Sequence, residues 1–300
     1  MSIEDLNTRF GIAGVAEFIT GPGNQVQLRI SNDAATALIS LHGGQVLSFI
    51  PRSSGTDMLF LSTKALYAEG KAIKGGIPVC WPWFGADPEK RGRPAHGFAR
   101  NTAWQVMSVE ARSSHLSRVV LQLRDDAQSR TLWPYPFTLD LAIEIGESLD
   151  LTLTTRNTGD SVFPITQALH TYFSVDAIEQ VSVTGLDGLD YLDKVLGFAE
   201  QRQAGEVGFT AEVDRIYQGV AGDLLINDQA GHRRIRISSR NSHTAVVWNP
   251  WHEVAARMSD LAPGDYRRFV CVETANAGNE IVDVAPGQAF SLGVRYLGTY

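Results

Sequence analysis

The 300-residue chain encodes an all-β fold, a sandwich or barrel of antiparallel strands, and three features say so. Apolar residues recur with a period of two almost everywhere, the spacing of strands with one dry and one wet face. Helical 3.6-residue periodicity is scarce. The strand-like runs are short, separated by Gly, Asn and Asp turns, and show no βαβ rhythm.

The elements follow in order. Residues 104–111 and 116–124 alternate on either side of Arg112-Ser113-Ser114-His115, which reads as a hairpin turn. Phe137, Leu139, Leu141, Ile143 and Ile145 alternate with Thr138, Asp140, Ala142 and Glu144. After Gly146-Glu147-Ser148 the pattern resumes with Leu149, Leu151 and Leu153, completing a second hairpin. Residues 233–238 and 290–296 repeat the alternation near the end. The best helical candidate is 253–261, stopped by Pro263-Gly264. Residues 185–208 are polar, rich in Gly, Asp and Gln, and read as strand-poor: a linker or a long surface loop. No fixed-period repeat is present, so a propeller or solenoid is not expected. Chemical candidates fall on both sides of 185–208, which favours one domain over residues 1–300.

Composition sets the functional class. The chain is 44% hydrophobic and 20% charged, with material for a large core and no sign of disorder. Lys+Arg 26 against Asp+Glu 33 gives a net charge of −7, which argues against a nucleic acid or an anionic membrane as partner. An anionic substrate would need a few cations placed locally. Cys80 and Cys271 sit in apolar stretches without metal-ligand spacing and read as buried free thiols. The acidic start, Met1-Ser2-Ile3-Glu4-Asp5-Leu6, shows no signal peptide, and no apolar run reaches membrane-helix length. A soluble, cytoplasmic protein is the expectation, with a monomer the simplest state.

Histidine carries protons near neutral pH, and the chain has 7. His115 in its turn and His232 after Gly231 read as surface residues, and His42 before Gly43-Gly44 is a weak candidate. His170 stands apart, in the apolar and aromatic run Pro164-Ile165-Thr166-Gln167-Ala168-Leu169-His170-Thr171-Tyr172-Phe173, where an imidazole needs a partner. The bland alternative is a satisfied core histidine. Glu273 closes the apolar run Phe269-Val270-Cys271-Val272, where a carboxylate is costly unless paired or functional. A salt-bridged glutamate at a strand end is its bland alternative. Lys74-Gly75-Gly76-Ile77-Pro78 and Trp81-Pro82-Trp83-Phe84-Gly85 combine a cation, paired glycines and flat aromatic faces suited to sugar rings. Then comes Lys90-Arg91-Gly92-Arg93-Pro94-Ala95-His96-Gly97-Phe98-Ala99-Arg100, cation-rich in an acidic protein. A solvated basic loop explains Lys90 and Arg91, whereas Arg100 lies beyond the charge run and reads as pointing into a site. No P-loop, His-Glu-x-x-His, Cys-x-x-Cys or Gly-x-Ser-x-Gly occurs, and the spacing of His42, His96 and His170 does not favour a metal.

These segments occur along most of the chain, joined by Val213-Asp214-Arg215-Ile216-Tyr217 and Val247-Trp248-Asn249-Pro250. Together they resemble the aldose 1-epimerase (galactose mutarotase-like) superfamily, most closely its hexose-6-phosphate mutarotase branch, the glucose-6-phosphate 1-epimerases. The resemblance implies a single large antiparallel β-sandwich, a supersandwich with few short helices and an open, sugar-binding concave face. It implies no cofactor and no metal, and a small-molecule sugar phosphate as partner. It assigns His170 as general acid and Glu273 as general base, with Lys74, His96, Arg100 and Asp214 binding substrate. In that branch the position before Gly-Gly-Ile-Pro is usually arginine; Lys74 keeps the charge and loses the planar fork.

The residue types suit that chemistry on their own terms. Interconverting α and β anomers needs a base for the C1 hydroxyl proton and an acid for the ring oxygen. The expected resting state is Glu273 ionised and His170 protonated, the imidazolium favoured by a carboxylate such as Asp214. Two alternatives share the fold: an aldose 1-epimerase for unphosphorylated sugars, and a non-catalytic carbohydrate-binding protein. The presence of both an acid and a base weighs against a pure binder.

Overall fold

Alternation in sequence becomes alternation in burial. A computed structural model describes residues 1–300, and its period-two segments are antiparallel strands. Phe137–Ile145 pairs with Leu149–Asn157 without a slip, from Phe137 opposite Asn157 to Ile145 opposite Leu149. Phe137, Leu139, Leu141, Ile143 and Ile145 are all fully buried, while the residues between them face outward. Each such side chain contributes about 1.5–3 kcal/mol relative to exposure. The hairpin of Gln105–Ser113 and Leu116–Arg124 joins the same sheet. So do Arg233–Arg240 and Ala289–Thr299, both longer than their sequence patterns.

That nine-stranded sheet runs Val207–Gly208, Val181–Thr184, Leu224–Asp228, Arg233–Arg240, Ala289–Thr299, Leu149–Asn157, Phe137–Ile145, Leu116–Arg124, Gln105–Ser113. A second sheet runs Ala199–Arg202, Asp190–Asp193, Val213–Gln218, Thr244–Asn249, Phe269–Asn276, Gln167–Leu169, Val79–Cys80, with Tyr172–Ser174 also paired to Phe269–Asn276. A four-stranded sheet of Ala16–Thr20, Val26–Ser31, Ala35–Ser40 and Gln45–Pro51 packs into the same core. The two large sheets are tied face to face. Thr171 and Tyr296 share a hydroxyl hydrogen bond of 2.6 Å, and the rings of Phe173 and Tyr296 meet edge-on at 5.1 Å. Val270 and Val272 of one sheet join Leu292 and Val294 of the other in one apolar cluster. This is the antiparallel sandwich that the sequence pattern predicts.

Two segments differ from their sequence reading. Residues 185–208 hold strands: Asp190–Asp193 and Ala199–Arg202 extend the second sheet, and Val207–Gly208 edges the first. Ala199–Arg202 is an exposed edge strand paired on one side only, so it needs no apolar alternation and leaves no signal. The helix expected at 253–261 is Trp251–Ala255 instead. Its backbone bonds tighten after Ala256, with Arg257 and Met258 donating to Val254 and Ala255, and the helix ends there. Two other short helices, Ile3–Phe10 and Ala127–Leu132, each open with a capping box. No helix is long and apolar enough to cross a membrane.

Candidate active site

Cross-strand register joins the two residues that the sequence sets far apart. Leu169 pairs with Thr274 and Tyr172 with Cys271, which carries His170 opposite Glu273. His170 Nε2 lies 3.3 Å from Glu273 Oε1. The run around His170 is not one strand, as its apolar character suggests. It breaks between Gln167–Leu169 and Tyr172–Ser174, where the His170 amide donates to the Pro78 carbonyl at 3.0 Å and the Thr171 amide to that of Leu169 at 2.9 Å. Glu273 sits mid-strand between Val272 and Thr274 rather than at the strand's close. Every residue of Phe269–Asn276 is buried, so both faces of the strand are covered, and Glu273 is its one carboxylate.

Side chains of directly paired residues share a face. Asp214 pairs with Trp248, Trp248 with Cys271 and Cys271 with Tyr172, which sets one row across four strands. Ile216, Val246 and Glu273 form the adjacent row. Loops complete a hollow of about 300 Å³ over these rows. Lys74 enters ahead of Gly75 and Gly76. A Cβ on Gly76, whose φ is +60°, would lie 2.2 Å from the Val46 carbonyl oxygen, so only glycine fits. His96 precedes Gly97, where a Cβ would lie 1.9 Å from the Trp81 carbonyl oxygen. Arg100 follows on a short 3₁₀ turn, Ala99–Asn101. All six residues singled out from the sequence line this one hollow: Lys74, His96, Arg100, His170, Asp214 and Glu273.

Electrostatics set their states. Burial pushes the Glu273 carboxyl well above its ordinary value, with Lys194 and Arg100 pulling back. Burial likewise pushes His170 well below its ordinary value, reinforced by His96, Arg100 and Lys74. The expected resting pair, ionised Glu273 beside protonated His170, is therefore opposed by desolvation, and Arg100 and Lys74 add to that opposition at His170. His170 Nδ1 and Glu273 Oε2 are buried and make no hydrogen bond within the protein. His96 is pushed down to about 3, by burial first and then by Arg100, Lys194 and Lys74. The Gly85 amide donates to His96 Nδ1 at 3.4 Å, so the neutral ring carries its proton on Nε2.

Sequence reasoning missed several lining residues. Lys194 forms a 2.7 Å ion pair with Asp214, and Glu212 lies two positions before Asp214 on the same side. Lys74 is paired with Asp260 at 3.4 Å. Tyr172 stacks on His170 at 5.0 Å, and Trp248 meets it edge-on at 5.9 Å. Lys194 carried no signal because its segment reads as loop. Arg93 is excluded from the hollow by its bonds: its guanidinium is buried on Asp87, on the Leu132 carbonyl and over the Trp83 ring. His42 belongs to a different cavity and bonds the Lys71 carbonyl at 2.7 Å, so it does not converge with His96 and His170. His115 and His232 are exposed, and both cysteines are buried free thiols.

An antiparallel sandwich with an imidazole and a carboxylate in contact on the floor of an open, cation-rimmed hollow is built for acid–base work on a small polar substrate. Residues 26–297 match the aldose 1-epimerase family model. The chain is 36% identical to a protein of Cenchrus ciliaris, over 91% of this chain and 84% of the relative. It is 35% identical to one of Escherichia coli K12, over 83% and 82%. Both relatives bear the name "Putative glucose-6-phosphate 1-epimerase". The crystal structure of a "putative mutarotase" from Salmonella typhimurium superposes with a TM-score of 0.90 at 27% identity, covering 97% of this chain and 95% of that one. The chain belongs to the aldose 1-epimerase family and is an isomerase.

Proposed function

We propose that this protein interconverts the α and β anomers of hexose 6-phosphates, glucose 6-phosphate among them, with Glu273 and His170 moving the protons. One observation carries the reading: the 3.3 Å approach of His170 to Glu273 in a hollow that also holds Lys74 and Arg100. The names of the plant and bacterial relatives support a sugar phosphate as substrate.

Both oxygens that exchange protons, the C1 hydroxyl and the ring oxygen, are bonded to one carbon, so two adjacent groups can serve them. Glu273 takes the C1 hydroxyl proton, the bond from C1 to the ring oxygen breaks as the carbonyl forms, and His170 protonates the departing oxygen. Rotation about C1–C2 presents the other carbonyl face. Reclosure returns both protons, and none is consumed. During ring opening the pair passes from charged to uncharged. Burial favours the uncharged pair, so the site favours the proton inventory of the open-chain sugar. The substrate's phosphate dianion, meeting Lys74 and Arg100, offsets the cations that oppose charge on His170 and restores the pair needed for the closed ring. His96, neutral, donates from Nε2, and Asp214 accepts from a ring hydroxyl.

Freshly dissolved α-glucose 6-phosphate is expected to equilibrate faster with the protein than without it, followed by an anomer-specific dehydrogenase or by NMR. No acceleration with any phosphorylated aldose would overturn the reading. Faster equilibration of free glucose than of its 6-phosphate would transfer it to the unphosphorylated sugars.

A further inference from the structure

Lys194 stands on the turn between Asp190–Asp193 and Ala199–Arg202, and it is attached twice to one residue. Its amide donates to the Asp214 carbonyl at 2.9 Å, and its ammonium meets Asp214 Oδ2 at 2.7 Å. The turn is itself fixed by Asp193. Asp193 Oδ1 accepts from the Val195 and Leu196 amides at 3.0 and 3.2 Å, and its carbonyl accepts from Phe198 at 2.7 Å. The second oxygen of Asp214, Oδ1, is buried without a hydrogen-bond partner in a residue that lines the hollow.

We infer that Lys194 is a positioning residue that clamps Asp214 through backbone and ammonium together, holding its carboxylate as an anion whose Oδ1 accepts a hydrogen bond from a sugar hydroxyl. The inference rests on the reading of the hollow as a sugar-phosphate site. It separates Lys194 from Arg100 and from Lys74, whose longer 3.4 Å pair is with Asp260 outside the lining of the hollow: the Lys194 ammonium is held at 2.7 Å by a carboxylate inside the site and is not a phosphate ligand.

The charges around Asp214 agree. It is faced by Lys194 and Asp193 from the turn, by Glu212 from its own segment and by Glu273 from the strand beyond Thr244–Asn249. Burial pushes the Asp214 carboxyl up, Lys194 pulls it down, and Asp193 pushes it up. Removing the ammonium therefore raises the pH below which Asp214 is protonated and lost as an acceptor.

Two arms test this. In steady-state kinetics on glucose 6-phosphate, Lys194→Met is expected to raise KM about tenfold, as loss of a charge-assisted hydrogen bond does, with kcat little changed. The acid limb of its kcat/KM profile moves to higher pH, and Lys194→Arg restores both. In an Asp214→Asn background, Lys194→Met adds little. The second arm is a carbon-13 NMR titration of the Asp214 carboxyl, assigned by its disappearance in Asp214→Asn. Its midpoint rises in Lys194→Met, and this needs no turnover, so it answers even if the protein acts on no sugar phosphate. An unchanged midpoint, or a KM loss that is the same at every pH and additive with Asp214→Asn, would overturn the clamp.

Discussion

The two large sheets use the same antiparallel ladder and treat polar groups in opposite ways. On the outer face of the nine-stranded sheet, charged residues meet their cross-strand partners: Arg118 lies 3.7 Å from Glu144, and Arg295 lies 3.0 Å from Asp150. On the hollow face of the other sheet, Glu273 Oε2, His170 Nδ1 and Asp214 Oδ1 are buried without partners. An unpaired buried polar atom costs about 1–3 kcal/mol, so the second sheet gives up stability where the first does not. The basic loop repeats the contrast at small scale. Arg93 is bound to Asp87 and to the Leu132 carbonyl, whereas Arg100 bonds the Ala95 carbonyl and leaves its buried Nε unpaired. Four of the buried polar atoms left unpaired, on Arg100, His170, Asp214 and Glu273, converge on the one hollow, whereas the others, on residues such as Ser40, Gln45 and Arg215, lie outside its lining.

The largest effect should come from the hollow. His170→Asn is expected to slow anomer exchange about 10²–10⁴-fold, the usual contribution of a general acid or base. Adding Glu273→Gln to it should cost little more, because the pair acts as a unit. Fully additive losses would break the contrast. Next, Leu141→Ala in the nine-stranded sheet should lose about 2–5 kcal/mol in urea unfolding while the folded fraction keeps its kcat. Lost turnover without lost stability would mean that the sheets do not divide the work this way.

The two arginines sharpen the point. Arg100→Met should raise KM for glucose 6-phosphate about tenfold or more and leave the KM for free glucose little changed. Arg93→Met should instead lower the thermal midpoint, since Asp87 loses its partner. The smallest effect is a pH-dependent one. A carboxyl whose folded value is raised contributes stability below its ordinary value, here 4.5, and loses that contribution as pH rises through the folded value. Glu273→Gln avoids the loss. Its thermal midpoint should match wild type in acid and exceed it by a few degrees at neutral pH. A gap independent of pH would contradict the burial of an ionisable Glu273.

What the sequence revealed follows the same division. The nine-stranded sheet is legible because one wet face forces period two, as in Phe137–Ile145. His170 and Glu273 are legible for the opposite reason, as polar exceptions in apolar runs. Their contact is not legible, because it depends on a register shared by Leu169 with Thr274 and Tyr172 with Cys271. Lys194 was hidden in a polar stretch whose edge strand carries no alternation. What opposes the charged pair is not legible either, because burial and the placement of Lys74, Arg100 and His96 around it are properties of the folded hollow.

If Glu273 exchanges the C1 proton with the sugar, saturation-transfer NMR between the two anomeric signals of glucose 6-phosphate reads that exchange. Wild-type protein should transfer saturation from one anomer to the other, and Glu273→Gln should bind the sugar phosphate yet transfer none above the uncatalysed level. Undiminished transfer in Glu273→Gln would contradict that role of Glu273.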